Sequence, residues 1–356
     1  MGLKEIARMT GLSITTVSHA LNGTRAVSQK SMALIRDAVA KTGYRPNGAA
    51  QALKTQRTNM IALIIPSTEP NNSTNCFFFD VLGGVKQTLQ EQGYDLIVST
   101  YSENDPHFLL GGIPVLQKNW IDGVLFVPGS RRRAECLTGV DVPVVLIDRR
   151  LDGVSLPFVG SDNEQAAVRA IELLAQSGRR RIGYIGGTLD FSSAYDRYRG
   201  YQKALAALGL AHDFSLIAYE LDYSLESARN AARSLVRYGA DAIFAANSVL
   251  TMGVVQYLNE QGIRIPEQIA LVGFDDYDWT QIVSPPITAV RQDARGMGAL
   301  GARMLIELLA GNTPDPAVAV LPSALAVRRV TGVATHGGNK PLWYIRYNHN
   351  QVMVSQ

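Results

Sequence analysis

From Met60 onward, short apolar runs alternate with segments of helical period, and this alternation limits the possible folds more than any other feature. The runs "MIALIIPS" and "DLIVSTY" have the continuous apolar character of buried strands, and "FFFDVLGGVKQTLQEQGY" between them has helical spacing. Strands that alternate with helices of about ten to fifteen residues predict parallel sheets covered by helices on both faces. The alternation restarts after about residue 160, which predicts two similar α/β halves with a ligand cleft between them.

The remaining expected elements follow in the same order. Further strands are predicted in "DGVLFVPG", "VPVVLIDRR", "RRIGYIGG", "FSLIAYELDY", "AIFAANS" and "IALVGFDD". Helices are predicted in "EQAAVRAIELLAQSG", around Arg199–Leu208, in "LESARNAARSLVRYG" and in the segment that ends at Gly262. Asp162 precedes the first of these helices and is expected to cap it. The segment from His336 onward has no clean period and receives no assignment.

The first 46 residues predict three short helices joined by tight turns. Leu3–Met9 forms the first, and the turn Thr10-Gly11-Leu12 leads to Ser13, the expected N-cap of the second. Ser28 is expected to cap the third helix and Gly43 to end it. The predicted buried stripes are Leu3, Ile6 and Ala7 in the first helix and Leu34, Ile35, Ala38 and Val39 in the third.

The second predicted helix has two different faces. Val17, Ala20 and Leu21 form a face that packs, whereas the other side carries mostly short hydrogen-bonding side chains and no long charged groups. A helix, a short turn with Gly and a second helix form the helix-turn-helix arrangement, whose second helix enters the major groove of DNA. The expected DNA contacts are Ile14 to a thymine methyl, Thr15 and His19 to base edges, Arg25 to a guanine or phosphate, and Thr16 and Ser18 to phosphates.

The net charge of +3 conceals a division along the chain. Residues 1–58 contain nine Lys and Arg residues against two acidic ones, and the remainder has more acidic than basic residues. A small basic segment joined to a mildly acidic body favours a polyanion as the partner of that segment alone. A solvated basic surface is the alternative interpretation of the charge.

Composition argues against several other classes of protein. There is no stretch of about eighteen apolar residues and no apolar signal core, so no membrane partner is expected. Cys76 and Cys136 give neither a disulfide framework nor a metal site, which fits structural thiols in a reducing cytoplasm. No catalytic triad, metal-ligand set or phosphate-binding glycine motif has a recognisable spacing, so no catalytic residue, metal or other cofactor is expected.

Three stretches of the N-terminal segment resemble the lactose/galactose repressor family: "LKEIARMTGLSITTVSHALNG", "VSQKSMALIRDAVAKTGYRPN" and "AAQALKTQRTNMIALIIP". The match is strongest to the purine and ribose repressors, which share "TTVSH". The resemblance continues to about residue 333 through "QGYDLIVS", "DGVLFV", "VPVVLID", "RRIGYIGG", "RYRGYQKAL", "ALVGFDD" and "SPPITAVRQD". It implies a small all-α helix-turn-helix head and an α/β body of two doubly wound parallel-sheet subdomains of the periplasmic-binding-protein-like type.

The resemblance also implies domain boundaries. Residues 1–46 form the DNA-binding domain, 47–58 a hinge, 59–335 the effector-binding and dimerisation core, and 336–356 a tail of unknown role. Within the core, the N-subdomain takes about 59–160 plus 290–322, and the C-subdomain about 161–289 plus 323–335.

By resemblance, the hinge folds into a helix only on operator DNA, where paired hinges open the minor groove. Leu53 holds the position of the leucine wedge of that family, with Lys54 beside it as a further DNA contact. The residues agree, because a lone large apolar side chain on a helix too short to be stable alone suits unstacking a flexible base step. Docking of Leu53 on the body is the alternative.

By the same resemblance, the body is an effector sensor. Asp148 and Asp275 follow strands, at the sheet edge where cleft ligands bind. Aspartates that accept hydroxyl groups, one fixed guanidinium and flanking aromatic rings suit a sugar. Core positions for the two Phe residues and a surface position for Tyr223 are the alternatives. The residues that match effector-binding positions of the family are Phe77, Phe78, Asp148, Arg197, Tyr223, Asn247, Asp275 and Gln292.

The chain also departs from the family pattern. Asn247-Ser248 stands where Asn-Asp is usual, which removes a carboxylate from the cleft region. Arg131–Arg133, Arg149 and Arg150 add cationic groups, which suggests an acidic effector such as a sugar acid or a phosphorylated sugar. A solvated loop is the alternative for Arg131–Arg133. The segment from His336 has no leucine heptads, so a homodimer is expected rather than a tetramer.

These observations predict a cytoplasmic, nucleoid-associated repressor of carbohydrate-utilisation genes. Its expected partners are double-stranded operator DNA of palindromic sequence, a sugar or sugar-acid effector, and a second copy of the chain. Induction, corepression and activation remain open at this point, as does a non-sugar effector. A solute-binding protein is disfavoured by the basic N-terminal segment, and a nucleotide-binding enzyme by the glycine spacing.

Overall fold

The computed structural model describes residues 2–22, 25–44, 57–67, 76–102, 105, 107–117 and 120–328. Leu53 and Lys54 of the predicted hinge, and the segment from His336, lie outside these residues. The chain divides into two compact units, a head (Met1–Asn59) and a body (Met60–Gln356).

The head contains the three predicted helices: α1 Leu3–Thr10, α2 Ile14–Asn22 and α3 Gln29–Thr42. Gly11 ends α1 with a left-handed φ of 68°, which glycine adopts without a Cβ clash. The Ser13 hydroxyl accepts the Thr16 N–H at 3.0 Å, and the Ser28 hydroxyl accepts the Ser31 N–H at 3.2 Å, so both predicted N-caps are confirmed. Gly43 ends α3 as predicted.

The core of the head is centred on Ile6, Val17 and Ile35, all of which are fully buried or nearly so. Leu34, which the sequence predicts in the same buried stripe as Ile35, is 45% exposed, and that prediction is wrong. Successive helical residues are rotated by about 100°, so α3 buries Ile35 and Ala38 and turns Leu34 away. Met32 and Val39 of α3 are partly buried and pack against the same core.

Among its described residues, the body contains two six-stranded sheets. The first has the order β11-β5-β4-β3-β1-β2 and the second the order β12-β10-β9-β8-β6-β7. All pairings are parallel except that of β12 with β10, which is antiparallel. The strands of the first sheet are β1 Met60–Ser67, β2 Asp95–Ser102, β3 Gly123–Phe126, β4 Val144–Ile147, β5 Phe158–Ser161 and β11 Val318–Leu321. Those of the second are β6 Ile182–Gly187, β7 Ile217–Leu221, β8 Ala242–Ala245, β9 Ala270–Phe274, β10 Thr288–Arg291 and β12 Ala324–Ala326.

Helices cover both faces of each sheet, because most central strands are buried on both sides and need cover there. Their bounds are α4 Phe77–Glu91, α5 Pro114–Gln117, α6 Asn163–Gln176, α7 Ser192–Ala207, α8 Leu225–Arg237, α9 Ser248–Glu260, α10 Asp278–Ile282 and α11 Ala294–Leu309. The helix predicted around Arg199–Leu208 is α7, which begins seven residues earlier than predicted. Among the described helices, none has both the length and the apolar composition needed to span a bilayer.

Close packing of α4 on α11 fixes the N-terminal end of α4. A Cβ at Gly84 of α4 would collide with the Arg295 carbonyl oxygen, and one at Gly298 of α11 with the Val81 carbonyl oxygen. Both positions therefore need glycine for the two helix backbones to approach. This contact holds the first turn of α4, which contains Phe77 and Phe78, against the first sheet.

In the part of the chain that the structure describes, there are three crossings between the sheets: at Asp162, at Gln292–Asp293 and at Pro322–Ser323. Asp162 stands at the N-cap position of α6 but makes no cap hydrogen bond with its side chain, so the predicted capping role is wrong. Its carboxylate instead accepts the Ser323 N–H at 2.8 Å and an Arg169 guanidinium N–H at 2.9 Å. Asp162 thus bonds Ser323 in place of the N–H groups at the start of α6. This bond joins the crossing at Asp162 to the crossing at Pro322–Ser323.

Candidate functional site

A cleft between the two halves of the body is lined by residues that follow strand ends in both sheets. Asp148 follows β4, Tyr223 follows β7, and Asp275 follows β9, so the carboxyl edges of both sheets face this cleft. The structure brings all eight residues predicted as effector ligands into this lining. The full set is Pro66, Phe77, Phe78, Asp148, Arg149, Phe191, Ser193, Ala194, Arg197, Tyr223, Asn247, Val249, Asp275 and Gln292.

Six of these lining residues were not predicted as ligands. Phe191, Ser193 and Ala194 reach the cleft because α7 begins at Ser192, directly beyond the carboxyl end of β6. The rule that loops after parallel strands carry ligand contacts would have found them, had the start of α7 been placed correctly. The others are Pro66, Arg149 and Val249.

Arg197 is held rigidly on α7. Its Nε donates to Asn163 Oδ1 and its Nη1 to the Ala246 carbonyl oxygen, each at 2.7 Å, and the guanidinium lies 3.6 Å from the centre of the Phe274 ring. A guanidinium has five N–H groups. Two are used in these bonds, so three have no hydrogen-bond partner among the described residues and are available to a ligand in the cleft.

Asp275 is buried beside this cation. It accepts the Gln292 Nε2–H at 2.6 Å, and the Ser248 backbone N–H also bonds its carboxylate. Burial raises the pKa of Asp275 above its usual value, although the Arg197 charge and the hydrogen bonds from Gln292 and Ser248 act in the opposite direction. Gln292 Oε1 is buried and makes no hydrogen bond with the described residues, so it adds an acceptor to this wall.

An aromatic wall with an arginine against it closes another side of the cleft. The Phe191 and Tyr223 rings are parallel within 4°, with centroids 6.0 Å apart. The Arg149 guanidinium carbon lies 3.8 Å above the Phe191 ring, and its Nε is 3.6 Å from Asp148 Oδ2. The wall thus offers ring faces for a sugar ring and a carboxylate for its hydroxyl groups.

Phe77, Phe78 and Asn247 have structural roles as well as positions in the lining. Phe77 is buried in the core of the first sheet and contacts Phe78 edge-on, with ring centroids 5.4 Å apart. Asn247 caps α9, because its Oδ1 accepts the N–H of Val249 at 2.8 Å. That bond occupies its carbonyl and leaves the amide nitrogen as the group available to a ligand.

Three cleft residues have an unusual backbone conformation. Asp148, Tyr223 and Asp275 have φ angles of 63°, 56° and 71°, in the left-handed region that L-residues rarely adopt. Each such residue costs on the order of 1 kcal/mol, and clusters of them mark functional sites. All three sit immediately or shortly after a strand, where this turn directs the side chain into the cleft.

The arginines that suggested an acidic effector are engaged elsewhere, except for Arg149. Arg131 forms an ion pair with Asp152 at 2.8 Å, and Arg150 with Asp196 at 2.9 Å. Arg133 donates to the carbonyl oxygens of Asp105 and Phe108, and Arg132 is paired with Asp190. Among the described residues, the charged groups that line the cleft are two arginines and two aspartates, so their charges balance.

The DNA-binding prediction concerns the head. Val17 and Ala20 of α2 are buried, whereas Ile14, Thr15 and Arg25 are exposed, so the packing face and the opposite face are arranged as the sequence indicates. The predicted contacts Thr16, Ser18 and His19 are half-buried on α2. Among the described residues, no three His, Cys, Asp or Glu side chains are grouped closely enough to hold a metal ion.

Comparison with known proteins decides the family. The model of bacterial regulatory proteins, lacI family, matches residues 2–47, and that of the periplasmic binding protein-like domain matches residues 171–331. The HTH-type transcriptional regulator CelR of Thermobifida fusca is 32% identical over 333 residues, which cover 92% of this chain and 97% of CelR. The chain belongs to the lacI family of bacterial regulatory proteins. The predicted family, fold class and role as a DNA-binding transcriptional regulator are thereby confirmed.

Other relatives of this lacI-family chain agree. The ribose operon repressor of Haemophilus influenzae is 29% identical over 329 residues, covering 92% of this chain and 97% of that protein. The solved CelR–cellobiose complex is 30% identical, with a TM-score of 0.71 over 93% of this chain and 99% of that one. The lac repressor dimer bound to operator and the anti-inducer ONPF shares the fold, with a TM-score of 0.77 over 93% and 99% of the chains at 22% identity.

Proposed function

We propose that this protein is a cytoplasmic repressor of carbohydrate-utilisation genes that binds a palindromic operator as a homodimer and responds to a sugar in the cleft of its body. The observation that carries the proposal is the cleft itself, which combines an anchored guanidinium, two aspartates and stacked aromatic rings. Two relatives support it: CelR was solved with cellobiose, and the lac repressor was solved as a dimer on operator. The protein acts by binding and carries out no catalysis.

In the head, α2 reads the operator. Ile14 contacts a thymine methyl, Thr15 and His19 contact base edges, Thr16 and Ser18 contact phosphates, and Arg25 contacts a guanine or phosphate. Leu53 and Lys54 contact the minor groove through the hinge. The exposed, short side chains near the start of α2 support this assignment, because they allow close approach to base edges.

In the body, Arg197 donates to ring or hydroxyl oxygens, and Asp148 and Asp275 accept hydroxyl hydrogens. Tyr223 stacks on the sugar ring beside the paired Arg149 and Phe191 side chains. Phe77 and Phe78 provide apolar contact, and Asn247 and Gln292 complete the polar wall. The balanced charge of the lining favours a neutral sugar over a sugar acid, because an added carboxylate would meet the aspartates as well as the arginines. Corepression remains the second candidate for the direction of control.

The test is fluorescence anisotropy of the full chain on labelled DNA from upstream of its own gene, with a panel of neutral sugars and matching sugar acids. We expect salt-sensitive binding that one neutral sugar weakens. Binding that appears only with a compound present would establish corepression. Absence of specific binding under every condition would contradict the proposal.

A substitution in the head and a matched one in the body test whether operator affinity depends on α2. Thr15→Ala should reduce operator affinity by roughly tenfold, or about 1.4 kcal/mol, which lies in the lower part of the range of about 1–3 kcal/mol for a good base contact. Thr313→Ala, an exposed threonine of the body, should leave operator affinity unchanged. Equal losses in both variants would show that the assay does not report recognition by α2.

A further inference from the structure

The start of α7 presents three neighbouring rows of side chains, each made of two residues four positions apart. Residues four apart lie on the same face of a helix, and successive residues are rotated by about 100°. The three rows therefore lie side by side around the first turns of one helix. They are Phe191 with Tyr195, Ser192 with Asp196, and Ser193 with Arg197.

The row of Ser193 and Arg197 lines the cleft. The Arg197 guanidinium is anchored by groups of its own half, Asn163 and the Ala246 carbonyl oxygen. Those two bonds fix Arg197 relative to the second sheet. They do not fix its separation from the first-sheet half, which supplies Asp148 to the opposite wall of the same cleft.

The neighbouring row, Ser192 and Asp196, is bonded to Arg150 of the first-sheet half. The Arg150 Nη2 donates to Asp196 Oδ1 at 2.9 Å, and the Arg150 backbone N–H donates to the Ser192 hydroxyl, also at 2.9 Å. Ser192 and Asp196 are both buried. One first-half residue therefore holds both members of the row, which lie one helical turn apart.

The third row, Phe191 and Tyr195, lies against two further arginines of the first-sheet half. The Arg149 guanidinium carbon is 3.8 Å from the centre of the Phe191 ring, and that of Arg131 is 4.0 Å from the centre of the Tyr195 ring. An arginine over an aromatic face is an attractive contact. We call the three first-half arginines the arginine clasp: Arg131, Arg149 and Arg150.

The ion pair of Arg150 with Asp196 is asymmetric in its exposure. The Arg150 side chain is 47% exposed, whereas that of Asp196 is 12% exposed. Burial raises the pKa of Asp196, and the Arg150 charge acts in the opposite direction without cancelling that effect. Such a pair is weak evidence for added stability. Its direct effect is geometric, because it fixes where α7 lies relative to the loop after β4.

We propose that Arg150 and Asp196 are positioning residues of the effector site, which set the separation between Arg197 and the first-half wall of the cleft. The inference rests on the proposed function, because it concerns the same cleft. Among the described residues, the cleft lining contains neither member of the pair. They act on the effector only through the walls that they hold in place.

The expected effect follows from the fraction of the body in which both walls are correctly placed. An effector that contacts both walls binds that arrangement, so its apparent Kd rises as the fraction falls. Loss of one charge-assisted hydrogen bond at a half-exposed arginine corresponds to about a tenfold change in such an equilibrium. We therefore expect about a tenfold rise in effector Kd when the pair is removed.

Calorimetric titration of the full chain tests this rise. The probes are glucose, galactose, mannose, xylose, ribose, cellobiose, maltose and lactose, and the sugar that binds most tightly is carried to the variants. Arg150→Gln should raise its Kd about tenfold, and Arg150→Lys, which keeps the charge, by less than about threefold. The control Arg181→Gln loses a pair with Asp213 inside the second half and should leave the Kd unchanged.

The salt dependence of sugar binding separates positioning from a general loss of stability. Salt screens the ion pair, so the wild-type Kd for a neutral sugar should rise about threefold between about 0.05 and about 0.5 M NaCl. Arg150→Gln lacks the pair and should lose most of this rise. A body that is merely less stable would keep the wild-type salt dependence.

A second measurement needs no sugar. The Arg131 backbone N–H donates to the Asp190 carbonyl oxygen of the other half at 2.8 Å, so exchange of this amide with deuterium reports separation of the halves. Exchange there should be faster in Arg150→Gln than in wild type, and unchanged in Arg181→Gln. If Arg150→Gln does not fold, Asp196→Asn removes the charge of the pair with little change of shape and gives the same expectations.

The outcomes separate the two proposals. A sugar that binds wild type and Arg150→Gln with equal Kd would overturn the positioning role and leave the proposed function standing. Unchanged exchange at the Arg131 amide would also overturn that role, because the halves would then be held without the pair. If no sugar of the panel binds the wild-type chain, the proposed function fails and the positioning role with it.

Discussion

Replacement of Arg197 by lysine should weaken effector binding without weakening operator binding by the free protein. The guanidinium reaches the cleft only because two bonds fix it, one to Asn163 and one to the Ala246 carbonyl oxygen. Lysine has a single nitrogen at the end of a flexible chain. It cannot keep both anchors and also donate in the same plane to a ligand.

The expected loss of effector affinity follows from the number of hydrogen bonds that the substitution removes. Three N–H groups of Arg197 are available to a ligand, and lysine loses at least one of the charge-assisted bonds that they make. Such a bond contributes about 1.5–3 kcal/mol, so the effector Kd should rise by between about tenfold and about 150-fold. Operator affinity in the absence of effector should remain within about twofold, because that binding depends on the head.

The assay is operator anisotropy in the presence of increasing concentrations of the sugar selected in the operator screen. Arg199→Lys provides the control, since Arg199 lies one half-turn along the same helix and its half-exposed side chain pairs with Glu164 at 3.5 Å. It should leave the effector response unchanged. A rise of less than about threefold for Arg197→Lys, or an equal rise for Arg199→Lys, would refute the role of the anchored guanidinium.

Three further predictions concern stability and DNA binding. Burial raises the pKa of Asp275, so the folded state favours its protonated form, and wild-type stability decreases as pH rises through that raised pKa. Asp275→Asn should therefore be more stable than wild type to urea at about pH 7. It should lose this advantage at about pH 3, where Asp275 of the wild type is protonated in both the folded and the unfolded chain. The variant should also bind effector poorly. Ser13→Ala removes the cap of α2 and should lower the stability of the head by about 1 kcal/mol in thermal unfolding followed by circular dichroism, and an unchanged transition would contradict the cap. Arg25→Gln should weaken binding to all sequences and reduce the salt slope by about one if Arg25 contacts a phosphate, whereas loss of discrimination at one base pair would assign it to a guanine.

Residues that follow strands were the easiest part of the site to predict. Asp148 and Asp275 each follow a continuous apolar run, and the alternation of strands with helices places all carboxyl ends of a parallel sheet at one edge. That rule needs no knowledge of tertiary contacts. It also explains why residues from both halves, far apart in sequence, line a single cleft.

The start of α7 was harder to predict. Phe191 stands at its N-cap position and makes no side-chain cap hydrogen bond, so the local sequence lacks the usual sign of a helix start. The prediction consequently began the helix at Arg199 and missed Phe191 and Ser193 in the cleft. A tertiary contact lies at this helix start, since the Ser192 hydroxyl accepts the Arg150 backbone N–H at 2.9 Å.

The arginine contacts were beyond the reach of sequence reasoning. Arg150 pairs with Asp196, 46 residues away and in the other half of the body, and nothing in either local pattern indicates the other. Runs of arginine in a loop are usually solvated, and charge alone does not reveal a partner. Asp162 was mispredicted for the same reason, because its partner Ser323 lies 161 residues away.

The contacts of Asp162 have a mechanical consequence for the body. Since Asp162, Arg169 and Ser323 bond to one another, two of the three chain crossings form one rigid joint. Two halves joined at such a point retain rotation about it as their main relative motion, while sliding is resisted. The remaining crossing, at Gln292–Asp293, contains Gln292, whose side chain donates to Asp275 in the cleft wall. A ligand bonded to Asp275 therefore acts, through Gln292, on the crossing that lies outside this joint.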